Sequence, residues 1–190
     1  MSIREVVILN SFPVLITEKI NLRQLRLEDA AELFDYFSKN EVTEFYDLES
    51  FIELKQAEEL IRHWNDRFIK LEGMRWGITY PAEDKVIGTC GFHHWSKEHF
   101  KAEIGYELAP EHWRKGIMTG VIERVVQYGF KELGLHRIEA FVDPKHIASR
   151  KLLEKAGFTE EGTLRDCFYE KGKFVDAVVF GILSKDTKKT

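Results

Sequence analysis

Residues 100–142 carry the pattern that most restricts this chain: a strand-like run, a loop of basic residues and glycine, a long amphipathic helix, then a second strand-like run. Within the helix, Val121, Ile122, Val125, Val126 and Phe130 fall on one face, and Gly134 ends it before a strand over 137–142. A strand, a helix and a strand in that order predict a crossover connection, and with the rest of the chain a mixed sheet.

The flanking segments fill in that sheet. Residues 20–27 mix apolar and charged side chains in near alternation, as a half-buried strand does, and Glu28 and Asp29 then open a helix to about residue 39. Phe51, Ile52, Leu54, Ala57, Leu60, Ile61, Trp64 and Phe68 recur at helical spacing; Ser50 is the expected N-cap, Glu53 stands three residues on, and Gly73 lies beyond the end. Strand-like runs at 74–80, 86–93 and 100–109 predict an antiparallel meander. A short helix over 147–155 closes at Gly157, and two further runs, 158–169 and 174–183, flank a hairpin turn at 170–173. With 190 residues, 44% of them hydrophobic, the chain supports one core. The expected fold is a single α+β domain over residues 14–184, with a six- or seven-stranded, mostly antiparallel sheet and helices on both faces. Residues 1–13 form an extension and 185–190 a tail.

Charge and composition exclude several classes. A net charge of -4 supplies no field for a nucleic-acid backbone, and the four tryptophans do not alternate with basic residues, which favours core packing over a stacking platform. Cys90 and Cys167 fall in separate strands without a metal or redox spacing and are expected to be reduced core residues. No apolar run approaches the roughly 18 residues of a membrane helix, and no cleavage site follows the first residues, so a cytoplasmic protein with no membrane partner is expected. His93, His94 and His99 cluster with Trp95 but lack a cysteine, and are taken as loop or substrate-rim residues, with no metal expected.

The loop itself, residues 110–120, places Arg114, Lys115 and Gly116 where a strand hands over to a helix. Unpaired backbone N–H groups and the positive end of the helix dipole point outward at such a start, and glycine lets an anion approach the main chain. The two cations can neutralise what the amides hold.

Five segments in this order resemble the GNAT N-acetyltransferase superfamily, in particular the RimJ and RimL branch of ribosomal-protein N-terminal acetyltransferases. They are Ile16-Thr17-Glu18-Lys19-Ile20-Asn21-Leu22-Arg23, Glu28-Asp29-Ala30, Ala102-Glu103-Ile104-Gly105-Tyr106-Glu107-Leu108, Trp113-Arg114-Lys115-Gly116-Ile117-Met118-Thr119, and Ala148-Ser149-Arg150-Lys151-Leu152-Leu153-Glu154-Lys155-Ala156-Gly157-Phe158. The chain departs from the pattern at Trp113, where Gln or Arg is usual, at Met118, where Gly or Ala is usual, and at His146, where relatives carry Asn. The resemblance implies an enzyme that moves an acetyl group from acetyl-CoA, its cosubstrate, to a primary amine by direct attack. The alternative is a catalytically silent acyl-CoA sensor. It further implies that Leu108, Ala109, Arg114, Lys115, Gly116, Ile117, Met118, Thr119, Gly120, His146 and Ser149 hold the donor, with the protein monomeric or homodimeric.

Direct transfer needs a neutral amine, a polarised thioester carbonyl and a proton for the leaving sulfur. A terminal α-amine titrates near ~7.7–8, whereas a lysine-like amine near ~10.4 costs about 4–5 kcal/mol to deprotonate at neutral pH, so a base matters more for the second. Strand alternation puts Glu103 and Glu107 on one face, roughly 13 Å apart, with Gly105 leaving open space between them. Glu103 is expected to be the base, through a water, because relatives carry a glutamate there. Ser149 is either the proton donor to sulfur or a helix cap. A backbone N–H near Glu107 or Leu108, freed where strands splay, would serve the oxyanion. The acceptor is a peptide N-terminus, a polyamine or another small amine; the acidic stretch Glu41, Glu44, Asp47 and Glu49 is a solvated loop or an attractor of cations.

Overall fold

The periodicities of the sequence become elements in the computed structural model, which describes residues 11–186. The strands are β1 (Leu15–Ile16), β2 (Asn21–Gln24), β3 (Met74–Tyr80), β4 (Glu83–Ser96), β5 (Lys101–Leu108), β6 (Arg137–Val142), β7 (Thr159–Glu170) and β8 (Lys173–Leu183). The helices are α1 (Ala30–Phe37), α2 (Asn40–Thr43), α3 (Leu54–Ile69), α4 (Ile117–Lys131) and α5 (Ile147–Lys155). The first ten residues of the expected extension and the last four of the tail lie outside the described residues.

All eight strands join one sheet, in the order β1-β2-β3-β4-β5-β6-β8-β7. The pair β5–β6, joined through α4, is parallel, and the other pairs are antiparallel. The count exceeds the expected six or seven because β1 is two residues long, too short to show a period of two. Its neighbourhood is nonetheless packed: the Trp76 indole N–H donates to the Pro13 carbonyl, and Phe12 lies edge-on to Trp76. Contact with the core therefore begins before residue 14.

Register assigns the faces. Trp76, Cys90 and Tyr106 are cross-strand partners on one side of the sheet, and Arg75, Gly91 and Gly105 on the other. The first side packs Phe92, Ile104 and Ile138 with Val121, Ile122 and Val125 of α4. The second carries Leu25, Leu33, Phe37, Ala57 and Ile61, and there the Arg75 guanidinium sits 4.8 Å above the ring of Trp64 in α3. Helices thus cover both faces. Cys90 is fully buried, and burial pushes its thiol up to about 12, an unreactive group. Cys167 is free but only partly buried, and Trp113 is 40% exposed, so neither is the core residue expected.

Two signals at helix starts resolve differently from the sequence. Helix α3 begins at Leu54 with Glu53 as N-cap, bonded reciprocally with Gln56. Ser50, the expected cap, turns its hydroxyl to Asn40 Oδ1 and Thr43 Oγ1, both at 2.7 Å. Near α1, the predicted strand stops at Gln24 because Arg23 and Asp29 form a buried two-pronged ion pair, each bond 2.8 Å, that folds the chain into a 3-10 turn at Leu27–Asp29. Among the described residues no helix is long and apolar enough to cross a membrane.

Candidate active site

The parallel strands β5 and β6 pair over only three residues, Lys101 with Arg137, Ala102 with Ile138, and Glu103 with Glu139. Beyond Glu103, β5 stays with β4 to Leu108 while β6 follows β8 to Val142, so the sheet opens as a V. The Ala109 N–H donates to the Ile87 carbonyl on β4. Since successive N–H groups of a strand alternate sides, the Leu108 N–H faces the opening. The Leu108 carbonyl, on the same side, accepts from the Trp113 indole N–H at 2.6 Å. That bond explains Trp113, a departure in the sequence pattern, because it ties the loop to the strand end.

The loop then climbs to α4. Arg114 and Gly116 both have positive φ, 60° and 73°, with Lys115 between them. Gly116 is the N-cap of α4, and no side chain among the described residues caps that helix. Its first-turn N–H groups thus lack intrahelical partners and face out beside the exposed Arg114, Lys115 and Gly116. A Cβ placed on Gly116 or Gly120 would meet nothing within 4 Å, so the approach to the main chain is open. Main-chain donors, dipole and two cations together suit a diphosphate. Ile117 and Thr119 are partly buried in this turn, and Met118 packs into the core beneath.

On the α4 side of the opening, Tyr106 OH and Ser149 Oγ stand 2.7 Å apart. Ser149 is buried at the third position of α5, whose N-cap is His146, so the cap reading of Ser149 does not hold. Burial raises the pKa of Tyr106, with the Ser149 hydrogen bond opposing, which keeps its proton in place at neutral pH. Strand alternation alone turns Tyr106 to this face, yet its partner lies 43 residues away, and only the fold shows the pair. His146 stacks on Phe45 at 4.4 Å and burial lowers its pKa, leaving a neutral ring.

On the opposite face, Glu103 and Glu107 differ in surroundings. Glu103 Oε2 lies 3.3 Å from His93 Nε2 and 3.0 Å from His94 Nδ1. Burial raises its pKa, but hydrogen bonds to both imidazoles prevail and hold it below the usual carboxylate range. Contrary to the loop assignment, His93 and His94 belong to β4, whereas His99 lies in the turn after it. Glu107 is buried and held by Arg75, Thr89, Tyr36 and Tyr46. The space over Gly105 is not open: a Cβ there would stand 2.9 Å from Arg75 Nη1 and 3.2 Å from His93 Cε1. Arg75 lies thirty positions upstream, and no local pattern announces it.

Residues 45 and 46 bridge the two arms of the V. Tyr46 reaches Glu107 on β5, while Phe45 helps line a cavity with Phe141, Asp143, Phe168, Glu170 and Asp176 along β6, β7 and β8. Burial raises the pKa of Glu170, and repulsion from Asp47 and Asp143 adds to it against the pull of Lys171. The cavity is thus aromatic and electronegative; the acidic stretch Glu41, Glu44, Asp47 and Glu49 is exposed, and Asp47 contributes to the field of the cavity.

A sheet split at its parallel pair, with an anion-binding helix start at the strand end, defines an acyl-CoA-dependent transferase of GNAT type. The profile of the acetyltransferase (GNAT) domain matches residues 19–159. N-acetyltransferase YoaA of Bacillus subtilis, itself uncharacterized, is 44% identical over 172 residues, 90% of this chain and 97% of YoaA. The chain belongs to the GNAT acetyltransferase family and is an acetyl-CoA-dependent N-acetyltransferase. RimJ of Mycobacterium smegmatis, solved with CoA-disulfide, shares the fold with a TM-score of 0.82 at 21% identity, over 90% of this chain and 85% of RimJ. Spermidine N-acetyltransferase of Vibrio cholerae, solved with CoA and spermine, matches with a TM-score of 0.77 at 25% identity, over 90% of this chain and 98% of that one.

Proposed function

We propose that this enzyme, through a catalytic domain spanning residues 14–184, acetylates a primary amine that carries a second positive charge, taken up in the aromatic and acidic cavity beside the β5–β6 opening. The observation that carries the acceptor class is the gathering of Asp143, Glu170 and Asp176 in the lining of one cavity, whose charge a cation would balance. Phe45, Phe141 and Phe168 add faces that attract a desolvated ammonium. The polyamine named for the Vibrio cholerae relative is of this class. A peptide N-terminus flanked by Lys or Arg is a weaker fit, since only its side chain supplies the second charge.

Acetyl-CoA supplies the acetyl group as an activated thioester. Arg114, Lys115 and the first-turn amides of α4 bind the diphosphate, Gly116 and Gly120 leaving the approach clear. The Leu108 N–H would donate to the thioester carbonyl oxygen, where negative charge grows during attack. Glu103, ionised at neutral pH, takes the amine proton through a water, so that nitrogen can bond the carbonyl carbon as the carbon–sulfur bond breaks. Ser149 Oγ–H returns a proton to the departing sulfur while Tyr106 OH, 2.7 Å away, hydrogen-bonds the Ser149 oxygen, which regains a proton from solvent as Glu103 releases there the one taken from the amine. Leu108 and Ala109 form the strand end against which the pantetheine arm lies, and His146 flanks it.

Free thiol released from acetyl-CoA, followed across polyamines, neutral-flanked peptides and simple monoamines, tests this reading. Polyamines should give the highest kcat/KM, and Glu103→Gln should lower turnover about 10²-fold with acetyl-CoA affinity unchanged. Preference for neutral-flanked peptides over polyamines would overturn the acceptor assignment; full turnover in Glu103→Gln would remove Glu103 from the chemistry.

A further inference from the structure

A strand normally sends consecutive side chains to opposite faces. At the end of β4 this rule is broken. His94 has φ 47°, a left-handed backbone that non-glycine residues rarely adopt, and the pairing of β4 with β5 slips between His93 and Ser96. The result is that two consecutive imidazoles aim ring nitrogens at one oxygen, Glu103 Oε2, at 3.3 and 3.0 Å. The donor atoms of His93, His94 and Glu103 all lie within 4.8 Å of one another.

These separations have a chemical reading. A tetrahedral ion bound to nitrogen and oxygen at about 2.0–2.1 Å holds its donors about 3.3 Å apart along each edge. Two imidazoles and one carboxylate are the donors preferred by zinc and its first-row neighbours rather than by calcium or magnesium. The His94 side chain is 64% exposed, His93 35% and Glu103 21%, so an ion can enter from solvent and keep a water in its fourth position. Arg75, on the same face, has its charge matched by the buried pair with Glu107.

We propose that His93, His94 and Glu103 form a binding site for a divalent transition-metal ion, of zinc class, and that its occupancy inhibits acetyl transfer by withdrawing the lone pair of Glu103. The inhibition rests on the reading of Glu103 as base; the binding does not. The bulge at His94 is then the device that builds the site from adjacent residues, and the enzyme would slow when such an ion is abundant.

The test uses the full chain, freed of metal by chelation. Isothermal titration with zinc chloride, and the visible absorption that cobalt(II) gains in a tetrahedral nitrogen and oxygen site, should both report one ion per chain. His93→Ala, His94→Ala and Glu103→Gln should each weaken binding by at least about tenfold, the scale of losing even an outer partner of a ligand. His99→Ala, in the exposed turn nearby, should bind as the parent does. Failure of zinc to bind, or binding that survives His94→Ala, overturns the site. Thiol release should fall in the parent as zinc saturates it, and His94→Ala should resist the same zinc concentration; one-to-one binding with undiminished turnover overturns the inhibition. Because the turnover of metal-free Glu103→Gln reports the base separately, loss of either idea is told apart from loss of the other.

Discussion

Replacing Arg75 by methionine keeps a stem long enough to lie on Trp64 but removes the charge facing Glu107. In the parent, the Arg75 and Glu107 side chains are 6% and 4% exposed, so the carboxylate left behind has little access to water. Its remaining partners are neutral hydroxyls, from Thr89, Tyr36 at 3.3 Å and Tyr46 at 3.3 Å. Removing one member of a buried ion pair costs about 3–5 kcal/mol, because the surviving charge is uncompensated. At about 2–4 °C per kcal/mol for a chain of this size, Arg75→Met should melt about 6–20 °C below the parent. Adding Glu107→Gln removes the stranded charge while leaving an amide oxygen for the three hydroxyls, so the double variant should recover at least half of the loss. Thermal scans and urea titrations at pH 7 on the parent, both single variants and the double give the coupling directly. Loss below about 1 kcal/mol in Arg75→Met, or a double variant no more stable than the single, would refute the buried-pair argument. Tyr46 also bonds Arg75, at 3.1 Å, and adjoins Phe45 at the cavity, so the single variant should raise the KM for the amine as well.

Other substitutions probe other parts of the molecule. Ser149→Ala should lower kcat about 10²-fold or more, and Tyr106→Phe should lower it less, with the KM for acetyl-CoA little changed in both; equal, full rates would dismiss the pair as proton donor. Glu170→Gln should raise the KM for a dicationic amine about tenfold while leaving that for a monoamine nearly unchanged. Because the folded pKa of Glu170 lies above 4.5, its charged form opposes folding above that range and the penalty fades as pH falls through the folded pKa. Glu170→Gln should therefore be slightly more stable than the parent at pH 7 and indistinguishable at low pH, as melts at pH 4 and 7 would show. Gly91→Ala would set a Cβ 2.0 Å from the Met74 carbonyl and 2.7 Å from Arg75 Cα, both backbone, so it should fail to fold or lose several kcal/mol on urea unfolding.

The elements with strong local punctuation could be read from the chain to the residue. The helix Ile147–Lys155 before Gly157 and the strand Arg137–Val142 are two such cases. Their periods and terminal glycine are properties of a few neighbouring residues, and no long-range contact competes with them. The start of α4 was legible to within a residue, since main-chain N–H groups and a left-handed Gly116 depend only on where a helix begins. Ser50 shows the limit. Its composition signals a cap, but two partners from α2, outside its own helix, took the hydroxyl.

Alternation by itself placed Glu103 and Glu107 on one face and Tyr106 on the other, because the side-chain period of a strand is a local matter. What each side chain meets was decided by tertiary structure. Arg75 crosses from β3 to fill the space above Gly105 and to engage Glu107, Ser149 arrives from α5 to meet Tyr106, and a bulge in β4 turns His93 and His94 onto Glu103. The cavity at Phe45 and Glu170 needs three segments distant in sequence, around Phe45, Phe141 and the β7–β8 hairpin. Local periodicity therefore determined where α4 begins and its main-chain donors stand, while the surroundings of Glu103 and the cavity at Glu170 belong to side chains that only folding brings together.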